Sequence, residues 1–443
     1  MKFVQANGSD FSVYGVPIFF RGIGVGSWLN LEHYELGVPG WETQIFQAFH
    51  GIVPDFDEQF RSHFFTLKDA RYLRSLGINL IRVPINHHLF WDEQQDIFRE
   101  SGLTWLKQLS EICNETGLYY LPDLHTAPGG QNPDWHSECR TGSPEFWHYS
   151  VFRKQTTAIW QKIAELLWDD PMLLGYDLLN EPMMMAGTTD LLNLFYQDTI
   201  NAIRKVDQNH LIFLEGNHFA MDYRGIRLPD DPQTAFTFHF YPSVWNPDVM
   251  TMDEASREDA LTLSLENILN SMTGARRPIL CGETGFERNP EDPESWERIS
   301  AQVLNTLEAH KAGWCLWNFK DTGTIGLLSP KSSTIWMYLA RQIGKSWNHH
   351  HAERIGYQLA EKAGQLSGYT LTKQEVYQLQ FMIRAGIAKS DVCHLLIPDL
   401  SGIPKEKAEQ LAESFAFKNC DIYQPMENLL KRFCLGEGRE SCL

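Results

Sequence analysis

Short runs of apolar residues alternate along the chain with longer stretches in which apolar residues recur every three or four positions. The short runs predict buried strands at residues 18–24, 79–84, 118–125, 174–180, 211–215, 236–241, 278–283 and 313–317. The stretches between them, such as TLKDARYLRSLG and LTWLKQLSEICNETG, have helical spacing and end in Gly. This alternation favours an α/β fold, a closed parallel (β/α)8 TIM barrel, over a doubly wound open sheet.

The alternation stops near residue 350. Beyond it, segments such as LTKQEVYQLQFMIRAGIAKSDVCHLL have helical spacing, and we expect no further strands. The sequence therefore predicts a barrel over residues 1–350 and a C-terminal helical extension over 351–443. We expect this extension to pack on the barrel or on a partner subunit, and no sequence pattern indicates an oligomeric state.

Charge and composition limit the binding partners and the cellular location that we expect for this chain. The chain carries 56 acidic and 38 basic residues, a formal charge of −18, which argues against nucleic acid or an anionic membrane surface as a partner. It has neither a window of eighteen apolar residues nor an N-terminal secretory pattern. The eight cysteines lack CxxC spacing, so we expect reduced thiols in the cytoplasm, or secretion if a signal has been removed.

Functional side chains recur where the predicted strands end. In TIM barrels the working groups collect at the carboxyl ends of the strands, so these residues are expected to face one cavity. Taken singly, each residue could have only a structural role, as a hydrogen-bonded residue of the core. Their shared position at the strand ends favours a functional site. The set comprises Arg82, His125, Asn180, Glu181, His239, Tyr241, Glu283 and Trp317.

Two carboxylates, Glu181 and Glu283, end the fourth and seventh predicted strands and should face each other across the barrel mouth. Glycoside hydrolysis needs such a pair, because one carboxylic acid protonates the leaving oxygen while the other attacks the anomeric carbon. A separation of roughly 5 to 5.5 Å leads to retention of configuration. The pair therefore predicts a glycosidase with a carbohydrate substrate and no cofactor.

The neighbouring residues supply what the pair requires. Asn180 can hydrogen-bond the sugar 2-hydroxyl. Arg82 and Tyr241 can keep Glu283 ionised, and His239 can buffer the acid site.

Two metal-site interpretations are less favoured. Asp123 and His125 lie two apart on one strand face, as in metal-dependent barrel hydrolases, but further His and Asp ligands are missing at the other strand ends. The cluster at 349–351 consists of three consecutive histidines, which cannot all converge on one ion from a regular element, so we expect a solvated loop. We expect no metal.

The strand-end residues also match a known pattern in order: Arg82, His125, Asn180-Glu181-Pro182, His239-Phe240-Tyr241, Glu283 and Trp317. With them the chain resembles glycoside hydrolase family 5, the cellulase-like family of clan A, over roughly residues 3–347. The resemblance implies that Glu181 is the general acid/base and Glu283 the nucleophile. It also implies that Trp317 forms the floor under the cleaved sugar.

Two further segments, RGIGVGSWLNLEHY and LHTAPGGQN, are similar to those of the exo-β-glucanase and β-glucosidase branches of that family. The similarity implies that Glu32 contacts the terminal sugar and that Asn132 lies on the loop after His125. We expect Glu32 and Asn132 to hydrogen-bond the outer hydroxyls of that sugar. A pairing of Glu32 with a basic residue at the barrel rim is an equal alternative. Trp135 and Trp245 follow working strand ends and can stack on sugar rings.

These two loops could close the cleft into a pocket, which favours exo action on β-glucosides or short β-glucan oligosaccharides. An endo-β-1,4-glucanase or mannanase is the alternative within the enzyme class. A noncatalytic carbohydrate-binding barrel is the alternative from another class, and the presence of both carboxylates disfavours it.

Overall fold

Eight parallel strands form a closed barrel in the computed structural model, which describes residues 2–184, 189–272, 276–366 and 370–436. Strand β8 pairs in parallel with β1, joining Cys315 to Gly22, so the sheet closes on itself. The (β/α)8 prediction is confirmed, and the open-sheet alternative is wrong. The strands are β1 Arg21–Gly24, β2 Leu80–Asn86, β3 Tyr119–Thr126, β4 Gly175–Asp177, β5 Leu211–Glu215, β6 Thr234–His239, β7 Ile279–Thr284 and β8 Gly313–Leu316.

Helices fill most of the connections between the strands. The helix Leu67–Ser75 begins at Thr66, whose backbone N–H and hydroxyl donate to Asp69 Oδ2 at 2.9 and 2.6 Å. The helix Ser101–Thr116 ends at Gly117, whose φ of 69° is costly for residues with a Cβ. The other longer barrel helices are Glu42–His50, Phe56–Phe64, Ser150–Leu167, Asp190–Ile203, Glu254–Ser271, Pro293–Ala309 and Ile335–Ile343.

Two predicted strand boundaries need correction. Val16–Ile18 belongs to a separate antiparallel sheet with Gln5–Asn7 and Asp10–Val13, whose Phe11 packs 5.2 Å from Phe20 at the amino end of the barrel. Strand β4 ends at Asp177, because the chain bends away before the polar residues at 180–181. The backbone N–H of Asn180 still donates to Leu124 O of β3 at 3.0 Å, which keeps the bend attached to the barrel.

The C-terminal residues pack directly on the barrel. Their helices are His351–Leu366, Lys373–Asp391, Ile397–Ser401, Lys405–Glu413 and Gln424–Cys434. The expectation that strands are absent here is wrong, because Cys420–Ile422 pairs antiparallel with Leu328–Pro330. The division at residue 350 stays a prediction.

A buried ion pair joins this segment to the barrel. Lys320 Nζ lies 2.6 Å from Asp69 Oδ1, and both side chains are fully buried. The same ammonium donates to Phe415 O at 3.0 Å and to Phe64 O. It therefore ties the chain after β8 to two barrel helices, Phe56–Phe64 and Leu67–Ser75, and to the C-terminal segment.

The seven cysteines in the described part of the chain are free thiols. Within those same residues, no helix combines the length and apolarity needed to cross a bilayer. The cytoplasmic location stays a prediction.

We expect Lys320→Met to lower the free energy of unfolding by about 3–5 kcal/mol, because it leaves Asp69 buried without its cation. Urea titration followed by circular dichroism measures the loss. The matched control is Lys418→Met, which removes an ammonium that is 67% exposed and 3.7 Å from Glu413. That change should cost less than about 0.5 kcal/mol. Equal losses in the two variants would contradict the role given to Lys320.

Candidate active site

A cavity of about 460 Å³ opens at the carboxyl ends of the barrel strands. Three of the predicted site residues, Arg82, Asn132 and Asn180, do not line it and are fully buried. The other predicted residues line it together: Glu32, His125, Trp135, Glu181, His239, Tyr241, Trp245, Glu283 and Trp317.

Beneath this cavity, the guanidinium of Arg82 lies among four carboxylates. Its Nη2 is 3.1 Å from Asp123 Oδ1 and 3.0 Å from Glu215 Oε1. Its Nε is 3.1 Å from Asp177 Oδ2, and its Nη1 is 2.5 Å from Glu283 Oε1. Burial disfavours the charge, but these carboxylates outweigh it and raise the pKa of Arg82 well above its ordinary value.

The carboxyl groups around Arg82 also affect one another. Burial, and then repulsion from Glu215, raise the pKa of Asp177 well above its usual range. Oxygens of Asp123, Asp177 and Glu215 lie within 4.8 Å of one another, a spacing that could hold a metal ion. The cation among them is the Arg82 guanidinium, and this arrangement accounts for Asp123 as part of an ion-pair network.

Glu283 is fixed from two sides. Besides the contact with Arg82, its Oε2 accepts a hydrogen bond from the Tyr241 hydroxyl at 2.9 Å. Both contacts favour the carboxylate, since one brings a positive charge and the other donates a hydrogen bond. Both contacts hold the side chain of Glu283 in place, and the ionisation of Glu283 stays a prediction.

Glu181 follows β4 with a φ of 47°, in the left-handed region that non-glycine residues seldom adopt. Its backbone N–H donates to Glu215 Oε2 at 2.5 Å, which holds this turn in place. Its side chain lies 2.7 Å from His239 Nδ1 and 3.0 Å from His136 Nε2. The carboxylate is thereby aimed into the cavity beside two imidazoles.

The imidazoles decide where the proton of this cluster resides. Burial acts to raise the pKa of Glu181, but the charge of His239 and hydrogen bonds from His136 and His239 lower it well below its ordinary value. Burial acts to lower the pKa of His239, but the charges of Glu283, Glu215 and Glu181 raise it well above its ordinary value. Both shifts favour the ion pair of a charged His239 with an ionised Glu181.

The two carboxylates are close together. One oxygen of Glu181 and one of Glu283 lie within 4.8 Å of each other. Retaining glycosidases have carboxyl groups roughly 5 to 5.5 Å apart, whereas inverting enzymes need roughly 6.5 to 9.5 Å to admit a water molecule. The spacing fits retention.

One end of the cavity is formed by Glu32 and its neighbours. Glu32 Oε1 lies 3.3 Å from His125 Nε2, and its Oε2 accepts a hydrogen bond from Trp135 Nε1 at 3.1 Å. Glu32 thus pairs with a basic residue and faces the cavity at the same time. Trp317 stacks on His125 at 5.6 Å, and its Nε1 donates to the Tyr34 hydroxyl at 2.6 Å.

The opposite side of the mouth is apolar. Trp245 is 58% exposed, and Val244 beside it is 65% exposed. Phe219 and Met221, on the connection after β5, complete this side of the cavity. Such a surface suits the apolar face of a sugar ring or of a nonsugar group.

The structure corrects one predicted contact. Asn132 is fully buried, and its Nδ2 donates to Glu181 O at 3.0 Å and lies 2.7 Å from His136 Nε2. A direct contact of Asn132 with a sugar hydroxyl is therefore wrong, because its amide is already used to hold the acid loop. Asn180 accepts a hydrogen bond from Arg82 Nη2 at 2.8 Å, and its contact with the 2-hydroxyl stays a prediction.

Sequence reasoning missed four residues of this site. Glu215 ends β5 in the same way that polar residues end the other strands, and this signal was available. His136 and Tyr34 adjoin predicted residues but carry no separate pattern. Asp177 gives no signal beyond being a charged residue within a buried strand.

The histidines at 349 and 350 lie in a turn at the cavity rim. Both line the cavity, and their Nε2 atoms lie 3.4 and 3.8 Å from Glu287 Oε1. His350 nevertheless keeps a side chain that is 60% exposed.

Comparison with known proteins agrees with this geometry. A family model described as Cellulase (glycosyl hydrolase family 5) matches residues 58–323. A beta-xylosidase of Phanerodontia chrysosporium is 30% identical, with 92% of each chain covered. A probable glucan endo-1,6-beta-glucosidase B of Aspergillus flavus is 26% identical over 68% of this chain and 83% of its own. The structure of Thermotoga maritima Cel5A in complex with mannotriose has a similar fold, with a TM-score of 0.52, 18% identity and coverage of 70% and 92%.

The raised pKa of His239 can be tested by measuring the unfolding free energy as a function of pH. The stabilisation by the charged imidazole is complete below its unfolded pKa of about 6.5 and is lost as pH rises towards the higher folded value. The difference in unfolding free energy between the wild type and His239→Gln should therefore shrink above pH 6.5, by up to about 1.4 kcal/mol per pH unit. Urea titrations between pH 6 and 9 measure it. His394→Gln, at an exposed position, is the control. If the loss of unfolding free energy in His239→Gln were as independent of pH as that in His394→Gln, the charged state of His239 would be refuted.

Proposed function

The chain belongs to glycoside hydrolase family 5, and we propose that it is an exo-acting retaining β-glycosidase with Glu283 as nucleophile and Glu181 as acid/base. It hydrolyses O-glycosyl bonds of β-glycans. Within that activity, the proposed substrates are β-glucosides and short β-glucan oligosaccharides, cleaved one sugar at a time from the nonreducing end. The observation that carries the proposal is the pair of carboxylates within 4.8 Å, beside a cavity that ends at the buried Glu32.

In the first step, a carboxylate oxygen of Glu283 attacks the anomeric carbon, and the bond to the leaving oxygen breaks. Glu283 makes the largest of the carboxylate contributions that hold the proton on His239. As Glu283 forms its bond to the sugar, that negative charge disappears, so the proton can pass along the 2.7 Å contact to Glu181 and on to the leaving oxygen.

In the second step, the roles of the pair reverse. Glu181 accepts a proton from a water molecule, whose oxygen attacks the anomeric carbon and releases Glu283 as a carboxylate. The returning charge on Glu283 again favours protonation of His239. Two inversions at one carbon give net retention.

Exo action is supported by the end of the cavity at Glu32. The leaving group lies on the Glu181 side, so the sugar bound to Glu283 extends over Trp317 towards Glu32 and Trp135. Glu32 is only 6% exposed and has charged and hydrogen-bonding partners that fix its carboxylate. A terminal sugar can place its outer hydroxyls against such a group, whereas a continuing chain needs an exit there.

Two other substrate assignments remain as alternatives. The beta-xylosidase of Phanerodontia chrysosporium, similar over 92% of this chain, favours β-xylosides as a second candidate. Paired assays with nitrophenyl β-glucoside and β-xyloside distinguish these sugars, which differ at the C6 hydroxymethyl group. The endo-β-1,4-glucanase or mannanase alternative predicts products of intermediate length.

The catalytic roles are tested by chemical rescue. Glu283→Ala should abolish turnover, and azide should then yield a glycosyl azide of inverted configuration, since it replaces the nucleophile. Glu181→Ala should still be glycosylated by substrates with a good leaving group, and azide should give a product of retained configuration. Product stereochemistry is read by NMR, with Glu258→Ala as the control at an exposed acid. Interchanged configurations would reverse the two assignments.

The exo mode is tested through Glu32 and the product pattern. Glu32→Ala should lower kcat/KM, because the sugar hydroxyls lose a buried hydrogen-bond partner. The expected loss in transition-state binding energy is roughly 1 to 3 kcal/mol. Early digestion of a β-glucan oligosaccharide by the wild type should give the monosaccharide alone, as resolved by chromatography. Mid-length fragments and a rapid fall in the viscosity of a soluble β-glucan would instead establish endo cleavage.

A further inference from the structure

Two C-terminal helices, His351–Leu366 and Lys373–Asp391, pack against each other beside the cavity; we call them the C-terminal hairpin. Glu353 of this hairpin lines the same cavity as Glu181 and Glu283, and so do His349 and His350, which directly precede it. The barrel strands alone therefore do not enclose the site.

Arg384 connects the hairpin to the loop after β3. Its Nη2 lies 2.8 Å from Asp134 Oδ1 and 3.0 Å from Glu353 Oε1, and only 12% of its side chain is exposed. The guanidinium also lies 5.3 Å from the centre of the Trp135 ring. Since Trp135 donates to Glu32, Arg384 supports the cavity end from behind.

The hairpin lies on the sugar side of the reacting bond. His349 packs 6.0 Å from Tyr34, whose hydroxyl accepts from Trp317. The leaving-group side, with Phe219 and Trp245, is across the mouth beside Glu181. A glucan chain that continued past the terminal sugar would therefore run into the hairpin and its supports.

A second contact closes the rim between β7 and the hairpin. The nearby carboxylates of Glu287 and Glu353 raise the pKa of His350 to about 9. The imidazole is thus charged at neutral pH and bridges the two carboxylates, at 3.8 Å from Glu287 and 3.0 Å from Glu353.

We propose that the C-terminal hairpin is the end wall of the substrate cavity and that Arg384 is a positioning residue that excludes a second sugar at the nonreducing side. This inference rests on the proposed exo action and assigns it a structural cause. Arg384 acts through Asp134 and Trp135 rather than on the reacting atoms. Loss of its contacts should open the wall while leaving the carboxylates in place.

The test compares two modes of cleavage in Arg384→Met, which keeps an unbranched side chain but removes the guanidinium and its charge. Nitrophenyl β-glucoside reports cleavage next to a single sugar. Nitrophenyl β-cellobioside releases nitrophenol together with intact cellobiose only if a second sugar fits beyond the first. The measured quantity is the ratio of kcat/KM for cellobiose release to kcat/KM for the glucoside.

The wild type should release glucose stepwise, and Arg384→Met should raise the ratio by roughly tenfold. Arg384→Lys should lie between the two, because it keeps the charge but loses the planar fork. Lys389→Met, the same change of cation to thioether at an exposed position five residues along the helix, should match the wild type. A thermal melt establishes that each variant is folded.

An unchanged ratio in folded Arg384→Met would overturn the proposal that the hairpin is the end wall. It would leave the proposal of exo action intact. Direct release of cellobiose by the wild type would overturn the exo proposal and the end wall together, so the two failures are distinguishable. Should Arg384→Met fail to fold, Glu353→Gln carries the same test, since it removes one carboxylate partner of Arg384. Its ratio should rise as well, and an unchanged ratio would again refute the wall.

Discussion

One buried guanidinium organises the catalytic end of this barrel. Arg82 neutralises carboxylates from four other strands, and so makes it possible to bury acids whose mutual repulsion would otherwise disfavour folding. It fixes Glu283 directly and reaches Glu181 through Glu215, which accepts the backbone N–H of Glu181. The carboxylates of Glu181 and Glu283 thus owe their spacing to a shared support beneath the cavity floor.

The fold and the meeting of Glu181 and Glu283 in one cavity were predictable because they depend on local patterns. Apolar runs placed the eight strands, and polar residues at their ends placed Glu181 and Glu283 at one rim. The roles of Asn132 and His136 were not predictable, since an amide on a polar loop gives no sign that it turns inward. Glu215 could have been found, because it ends β5 as other site residues end their strands.

The C-terminal segment was predicted as helical, but its contacts were beyond a sequence pattern. Cys420–Ile422 is three residues long and pairs with a strand some ninety positions earlier. Two further contacts likewise join residues that are far apart in the sequence. Lys320 donates to Phe415 O, and Arg384 pairs with Asp134. Through these contacts the segment packs on the barrel and reaches the edge of the site.

In the proposed mechanism Glu283, held by Arg82 and Tyr241, forms a covalent bond to the sugar. An activated 2-deoxy-2-fluoro-β-glucoside slows the second step and lets this intermediate accumulate, because fluorine destabilises the oxocarbenium-like transition state. Mass spectrometry of the digested protein should then find the fluorosugar on the peptide that contains Glu283. Attachment to any other residue, or turnover with inversion and no adduct, would contradict the account.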